Sequence, residues 1–284
     1  MPSLQTINRR IKSVRSTRQI TKAMQMVAAS KLRRAQTAAL GPQAYTAAAW
    51  ELLSNLSRQP VVRRNPLLIQ RPVKRDLSIV IAGDRGMAGG YNSNIMRALG
   101  RHLREQAGEH DAISIGKRAA MHLARARGIK QLASFEIESQ EASQIAFAVL
   151  EQITRLYRAG EIDAVHLITT DFVTTVTQRV SVRQMLPVEV PEVRAPVGDA
   201  EMEPEPEELV DFAIRRVLEA AIVQAILEAR ASEQAARMLA MMNATDNADD
   251  IIGDLTLLYN NERQSSITQE ISEITAGTEA MAHA

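Results

Sequence analysis

No cysteine occurs among the 284 residues, so disulfides, thiolate metal sites and thiol nucleophiles are all excluded. Aromatic residues are scarce at 3%. That scarcity, beside abundant Ala, Leu, Met, Glu, Arg and Gln, favours long helices over a bulky core, although 45% apolar residues still suffice for one. No apolar run reaches the roughly 18 residues needed to cross a bilayer, so a soluble or peripheral chain is expected. Acid is nearly missing from residues 1–75, where a single Glu51 accompanies 15 Lys and Arg. Base is thin at the other end, where residues 199–284 carry 18 Asp and Glu but five Arg. The net charge of +1 conceals this opposition of the two ends. An apolar h-region is also absent, which excludes a secretory signal. The Arg-rich, Ser/Thr-rich, acid-free start has the composition of a mitochondrial transit peptide, and reads in preference as a mature basic helix.

Helix breakers are few at both ends. Between Ser3 and Gln59 only Gly41 and Pro42 interrupt. Leu4, Ile7, Ile11 and Val14 follow a 3-4-3 spacing, and the apolar stripe then slides to Ile20, Met24 and Val27. Fifty-odd helical residues at about 1.5 Å each would reach roughly 80 Å, far more than a globular domain needs. From Glu207 to Ala276 no proline occurs. There Met238, Met241, Thr245, Ala248, Ile252, Leu255 and Tyr259 keep a strict 3-4 alternation, the mark of a coiled-coil seam. One helix is basic and the other acidic, so they are expected to pair antiparallel, with the charges setting register rather than stability.

Between them the pattern changes. "DLSIVIA" (76–82), "DAISIG" (111–116) and "IDAVHLITT" (162–170) read as buried strands, with helices near 92–108, 117–127 and 140–159. "FVTTVTQRVSVRQMLPV" alternates with period two and reads as a strand or hairpin at the sheet's edge. "PVEVPEVRAPVGDAEMEPEPEE" (187–208), with five prolines, reads as an extended linker. The expected fold class is therefore α/β: a long antiparallel coiled coil of N- and C-terminal helices (1–59 and 207–284) around an inserted, Rossmann-like open α/β domain (76–190).

The loop "IAGDRGMAGGYN" (81–92) has the local plan of a phosphate cradle but fails each pattern. Counting from Gly83, Ala88 and Gly89 stand where a P-loop needs Gly and Lys. Arg85 occupies the second glycine position of G-x-G-x-x-G, where the backbone must approach a pyrophosphate. A tight strand-to-helix turn with positive φ at several positions is expected instead, with Asp84 and Arg85 at its tip. The five histidines (102, 110, 122, 166 and 283) show no metal-ligand spacing, and His166 reads as a satisfied core residue. GxSxG is missing. No catalytic, cofactor or metal site emerges.

Three stretches carry a family resemblance. "RRIKSVRSTRQITKAMQMVAASKLRRAQ" (9–36) and "SEQAARMLAMMNATDNADDIIGDLTLLYNNERQSSITQEISEI" (232–274) are similar to the terminal signatures of the gamma subunit of F-type ATP synthase. "GDRGMAGGYN" (83–92) resembles that family's central SDRGLCGGLN motif. Gly83, Met87, Ala88 and Tyr91 depart from it, which is compatible with a divergent second-copy ATPase of the same type. Because the first signature begins within ten residues, the resemblance leaves nothing upstream to be cleaved.

The resemblance implies a non-catalytic central-stalk rotor, without cofactor, inside a ring of three alpha and three beta subunits. It would stand on the membrane c ring beside the epsilon subunit, coupling proton or sodium flow to the catalytic beta subunits. The place implied is the cytoplasmic face of a bacterial inner membrane, peripheral and without nucleic acid. By motif match, Lys22 and Met24, with Arg237, Asn243, Thr245, Asp246 and Asn247 opposite, would lie near a catch with beta. Asp84 and Arg85 would face a beta lever arm. Arg263, Gln264, Thr268 and Gln269 would sit in the upper shaft, and Met202 and Glu203 would approach the c ring. A basic-arm nucleic-acid adaptor is the alternative, since 15 basic residues could neutralise phosphates. It lacks interleaved aromatics, and the acidic helix already offers the arm a partner.

Overall fold

The computed structural model describes residues 3–56, 64–106, 108–189 and 206–282. By contacts the chain divides into two compact units, residues 1–27 with 238–284, and residues 28–237. Two long helices, α1 (Leu4–Leu56) and α5 (Pro206–Ala282), contribute to both. The α1 helix continues through Gly41 and Pro42. The expected linker falls largely at 190–205, outside the described residues.

In the first unit α1 and α5 pack as an antiparallel pair. Thr21 Oγ1 lies 2.8 Å from Thr245 Oγ1, and Arg18 pairs with Asp249. A step back along one helix thus meets a step forward along the other. The α5 seam follows the expected alternation, with Met241, Thr245 and Ala248 buried and Ile252, Leu255 and Tyr259 half-buried. The α1 seam does not slide as its apolar residues suggested. It holds one heptad phase through Leu4, Ile7, Ile11, Val14, Arg18, Thr21, Gln25 and Ala28, while Ile20 and Val27 are each 57% exposed. Small and polar residues keep the seam narrow, because Thr245 also donates to the Met241 carbonyl at 2.8 Å and has no unsatisfied hydroxyl. Among the described residues one ion pair crosses this seam, so apolar and Thr–Thr packing, rather than charge, holds its register.

In the second unit a five-stranded sheet runs in the order β3-β2-β1-β4-β5. The strands are β1 (Arg75–Ile81), β2 (Glu109–Ile115), β3 (Ile129–Phe135), β4 (Ala164–Phe172) and β5 (Gln178–Leu186). The first four are parallel, and β5 returns antiparallel on β4 as an edge hairpin. The sequence pattern gave no sign of β3: it is an edge strand with both faces only partly covered, so Lys130 and Gln131 break the apolar run. Helices α2 (Tyr91–Glu105) and α3 (Lys117–Leu123) cover one face through Tyr91, Ile95, Leu99, Ala119 and Leu123. Helix α4 (Ala142–Arg158) and the first half of α5 cover the other. On α4, Ile145, Val149 and Ile153 recur every four residues against Leu77, Ile79 and Val165. On α5, Val210, Ile214, Val217, Ile222, Ile226 and Ala229 join the same core.

One polar cluster interrupts the α2 face. Asp76, at the start of β1, is 1% exposed and accepts from His102 (2.9 Å) and His166 (2.6 Å). Burial pushes its carboxyl up, but the hydrogen bonds and charges of the two imidazoles outweigh this and hold it at about 2.

The turn after β2 makes a stringent steric demand. Gly116 has φ of +105°, and a Cβ there would lie 1.9 Å from the Ala82 carbonyl oxygen. Gly116→Ala should therefore lower the unfolding free energy of the full chain by about 2–4 kcal/mol in urea titration. A loss below about 1 kcal/mol would mean that this crossing of backbones imposes no steric constraint.

Candidate functional site

The loop between β1 and α2 lies at the carboxyl edge of the sheet, beside the point where the strand order reverses between β1 and β4. Open α/β sheets receive ligands in that crevice. Here the crevice is filled from within the chain. A Cβ built on Gly83 would lie 2.6 Å from the Glu233 carboxylate of α5. Arg237, one turn further on, donates to Glu233 Oε1 at 2.6 Å and to the Gly86 carbonyl at 3.3 Å. The loop therefore cradles a carboxylate, and the carboxylate belongs to the protein's own helix.

Internal bonds fix the loop around this pair. Asn92 spans it, accepting from Gly83 N at 3.0 Å and donating to the Arg85 carbonyl at 3.2 Å. Asp84 accepts from the backbone N–H groups of Lys117 (2.8 Å), Glu138 (2.9 Å) and Ile137 (3.4 Å), tying the starts of two neighbouring segments together. Positive φ within the loop falls at two positions, Gly89 and the non-glycine Met87. Gly83 is required by space, because the buried Glu233 carboxylate stands where its side chain would be.

Burial pushes the Glu233 carboxyl up, and the Arg237 hydrogen bond and charge oppose that shift. Burial raises the Tyr91 phenol, whose hydroxyl donates to the Ala229 carbonyl at 3.1 Å. Burial likewise lowers the Arg230 guanidinium, which donates to the Ile137 and Gln140 carbonyls. All these groups are engaged in clamping α5 to the sheet. None stands free beside a second group to which it might pass a proton.

The residues expected to meet partners separate into two sets. Asp84, Arg237 and Thr245 direct their polar groups into the chain, on loop segments, Glu233 and Thr21 respectively. Lys22, Arg85, Asn243, Asp246, Asn247, Arg263, Gln264, Thr268 and Gln269 are exposed, and Met24 is half-buried. Arg85 has 69% of its side chain exposed and rests against Glu138 at 3.2 Å. Beside it Met87 projects with 63% exposure. Met202 and Glu203 lie outside the described residues. One feature of the surface escaped the sequence reading: Ile267, Ile271, Ile274 and Met281 form an exposed apolar stripe on α5. Its 4-3-7 spacing is heptad-like but out of phase with the seam, whose alternation continues at Glu262, Ser266, Gln269 and Glu273, and it was legible in the sequence. Among the described residues no helix is long and apolar enough to cross a membrane.

Comparison with known proteins matches this arrangement along nearly its whole length. The family model described as ATP synthase matches residues 3–281. The ATP synthase gamma chain of Phenylobacterium zucineum is 39% identical over 290 residues, covering 99% of this chain and 100% of that protein. That of Pelotomaculum thermopropionicum is 40% identical over 288 residues, with the same coverage. Among solved structures, a chain of the Euglena gracilis mitochondrial ATP synthase, in its OSCP/F1/c-ring assembly, is similar with a TM-score of 0.67. It is 19% identical, and the match covers 98% of this chain and 94% of that one. A chain from the central stalk and c ring of the Tetrahymena thermophila enzyme gives 0.64 at 24% identity, over 79% of this chain and 99% of that one. At these identities the two structures speak for the fold.

The buried pair yields a double-mutant test. Arg237→Met strands the Glu233 carboxylate and should cost the full chain about 3–5 kcal/mol in urea unfolding. Combining it with Glu233→Leu should restore most of that loss, since no buried charge is then left alone. Equal losses in the single and double variants would contradict the pairing.

Proposed function

The chain belongs to the ATP synthase gamma-chain family and is a non-catalytic subunit of that complex; from this we propose how its surfaces serve as the central-stalk rotor. Three alpha and three beta subunits surround the paired helices. The epsilon subunit and the c ring engage the opposite end, the latter through Met202 and Glu203. The complex lies on the cytoplasmic face of a bacterial inner membrane, to which this chain is peripheral.

Rotation acts on catalysis as a ligand acts on a conformational equilibrium. An asymmetric shaft has different affinity for each beta conformer, so each new orientation favours a different one. Such a shaft must hold its own register firmly yet bind its sleeve loosely. The single observation that carries this reading is the division of the helix pair. Its seam closes on Ile7, Ile11, Thr21, Ala28, Met241, Thr245 and Ala248, while Ile20, Met26, Val27, Ile267, Ile271 and Ile274 point outward. Apolar side chains against a sleeve give contact without the directional bonds that would trap one angle, and methionine adds deformability.

The polar catch is Lys22 with Asn243, Asp246 and Asn247, all exposed, and Arg263, Gln264, Thr268 and Gln269 form the upper set. Asp84, Arg237 and Thr245 act behind these contacts by fixing the backbone that presents them. At the loop, Arg85 meets an acidic segment of a beta subunit once per orientation, and Asp84 holds the loop that presents it.

Two measurements check the proposal. The purified chain should show no ATP hydrolysis, whereas adding it to alpha and beta subunits from the same source should raise their hydrolysis at least tenfold. Hydrolysis by the chain alone, or no stimulation, would contradict it. Arg85→Glu should leave the melting curve of the chain unchanged and lower the ATPase of the reconstituted complex several-fold; unchanged turnover would remove Arg85 from the contact.

A further inference from the structure

We infer that Asp76, His102 and His166, completed by His110, form a structural binding site for a zinc-class divalent cation. The four come from four elements, β1, α2, β4 and β2. Sheet register brings three of them to one face, since Asp76 pairs with His110 and Ser78 with His166 across adjacent parallel strands. The last turn of α2 lays His102 over them. His102 Nε2 lies 2.9 Å from Asp76 Oδ2, His166 Nδ1 lies 2.6 Å from Oδ1, and His110 Nδ1 lies 3.9 Å from Oδ2. The side chains of all four are at most 12% exposed.

Satisfying a buried carboxylate explains only part of this arrangement. His102 and His166 already engage both oxygens of Asp76. His110 is then superfluous, and its buried Nδ1 has no hydrogen-bond partner. Neither has the buried hydroxyl of Ser78, the register partner of His166. Buried polar atoms are rarely left without partners, and here two of them border one cluster. A cation at the centre gives the His110 lone pair its acceptor and the Ser78 hydroxyl a polarised ligand shell to donate into.

The donor set selects the ion. Three imidazoles and a carboxylate are nitrogen and oxygen donors that suit zinc and fill a four-coordinate shell, and the chain has no thiolate to recruit softer ions. Donors bound at about 2.0–2.1 Å in a tetrahedron stand roughly 3.3 Å apart. The donor atoms of Asp76, His102 and His166 already lie within 4.8 Å of one another, and His110 Nδ1, 3.9 Å from Asp76 Oδ2, is the one that must move in to join them. Binding exchanges the protons now shared between carboxylate and imidazoles for the metal and releases them to solvent. A cavity of about 260 Å³ is bordered by His102, Arg101, Glu105 and Val182, so it touches the cluster at His102. Bound there, the ion fastens α2 to three strands at the end of the sheet away from the glycine loop. The histidine spacing along the chain conceals such a site, because each ligand lies on a different element.

The test is a cobalt titration of the metal-free full chain. The expected result is intense visible absorption typical of tetrahedral cobalt, saturating at one equivalent, bleached by one equivalent of zinc, with a higher melting temperature on zinc addition. His102→Gln and His166→Gln should abolish the absorption, and His110→Gln should weaken binding about 10- to 100-fold. His122→Gln, at an exposed position on α3, should change nothing. X-ray absorption of the cobalt-loaded wild-type chain needs no variant and should count at least two imidazole ligands. Absence of tetrahedral absorption, its persistence in His102→Gln or His166→Gln, or fewer than two imidazoles would overturn the assignment and leave the cluster as a hydrogen-bonded core.

Discussion

The architecture turns on a buried carboxylate. Glu233 fills the crevice at the carboxyl edge of the sheet, and Gly83 is glycine because that carboxylate takes the space of a side chain. Removing a carboxylate from water is costly unless a partner compensates, and Arg237 one turn away does so while also gripping the loop at Gly86. Tyr91 and Arg230 add further bonds between the same helix and the same edge of the sheet. In this fold the ligand position of an open α/β sheet has become a socket for a helix. The nucleotide chemistry of the complex belongs to other chains, and a loop with the outline of a phosphate cradle serves here to anchor a shaft.

The helix pair solves a different problem with the opposite chemistry. A seam of large apolar residues would tolerate slippage by one heptad, since every layer would resemble the next. Thr21 against Thr245 marks one register. Large apolar groups stand on the outside as well, among them Ile20, Val27, Ile267 and Ile271, where a soluble monomer more often carries charge.

The two terminal helices, three of the strands, the edge hairpin and the α5 seam were legible from periodicity, because burial on one face imposes a repeat on the sequence. The phase of the α1 seam was not. Hydrophobicity pointed to Ile20 and Val27, yet those residues face outward, and Thr21 and Ala28 take the seam. Pattern reading assumes that apolar means inward, and that assumption fails at these two exposed residues. Strand β3 was missed because an edge strand lacks the two-sided burial that makes its neighbours uniformly apolar. Reading the loop against phosphate motifs correctly removed a nucleotide, but Glu233 and Arg237 lie some 150 residues away in sequence, and nothing local announces them. The histidine cluster was hidden for the same reason, its members meeting only through sheet register.

Single-molecule rotation tests the central claim most directly, and the absence of cysteine makes it simple. Arg125→Cys, at an exposed position just after α3, gives the chain one thiol for a bead, with the alpha–beta ring fixed to a surface. The account predicts that ATP drives the bead in one direction in three equal steps per turn. A bead that only fluctuates while the ring hydrolyses ATP at its full rate would contradict it.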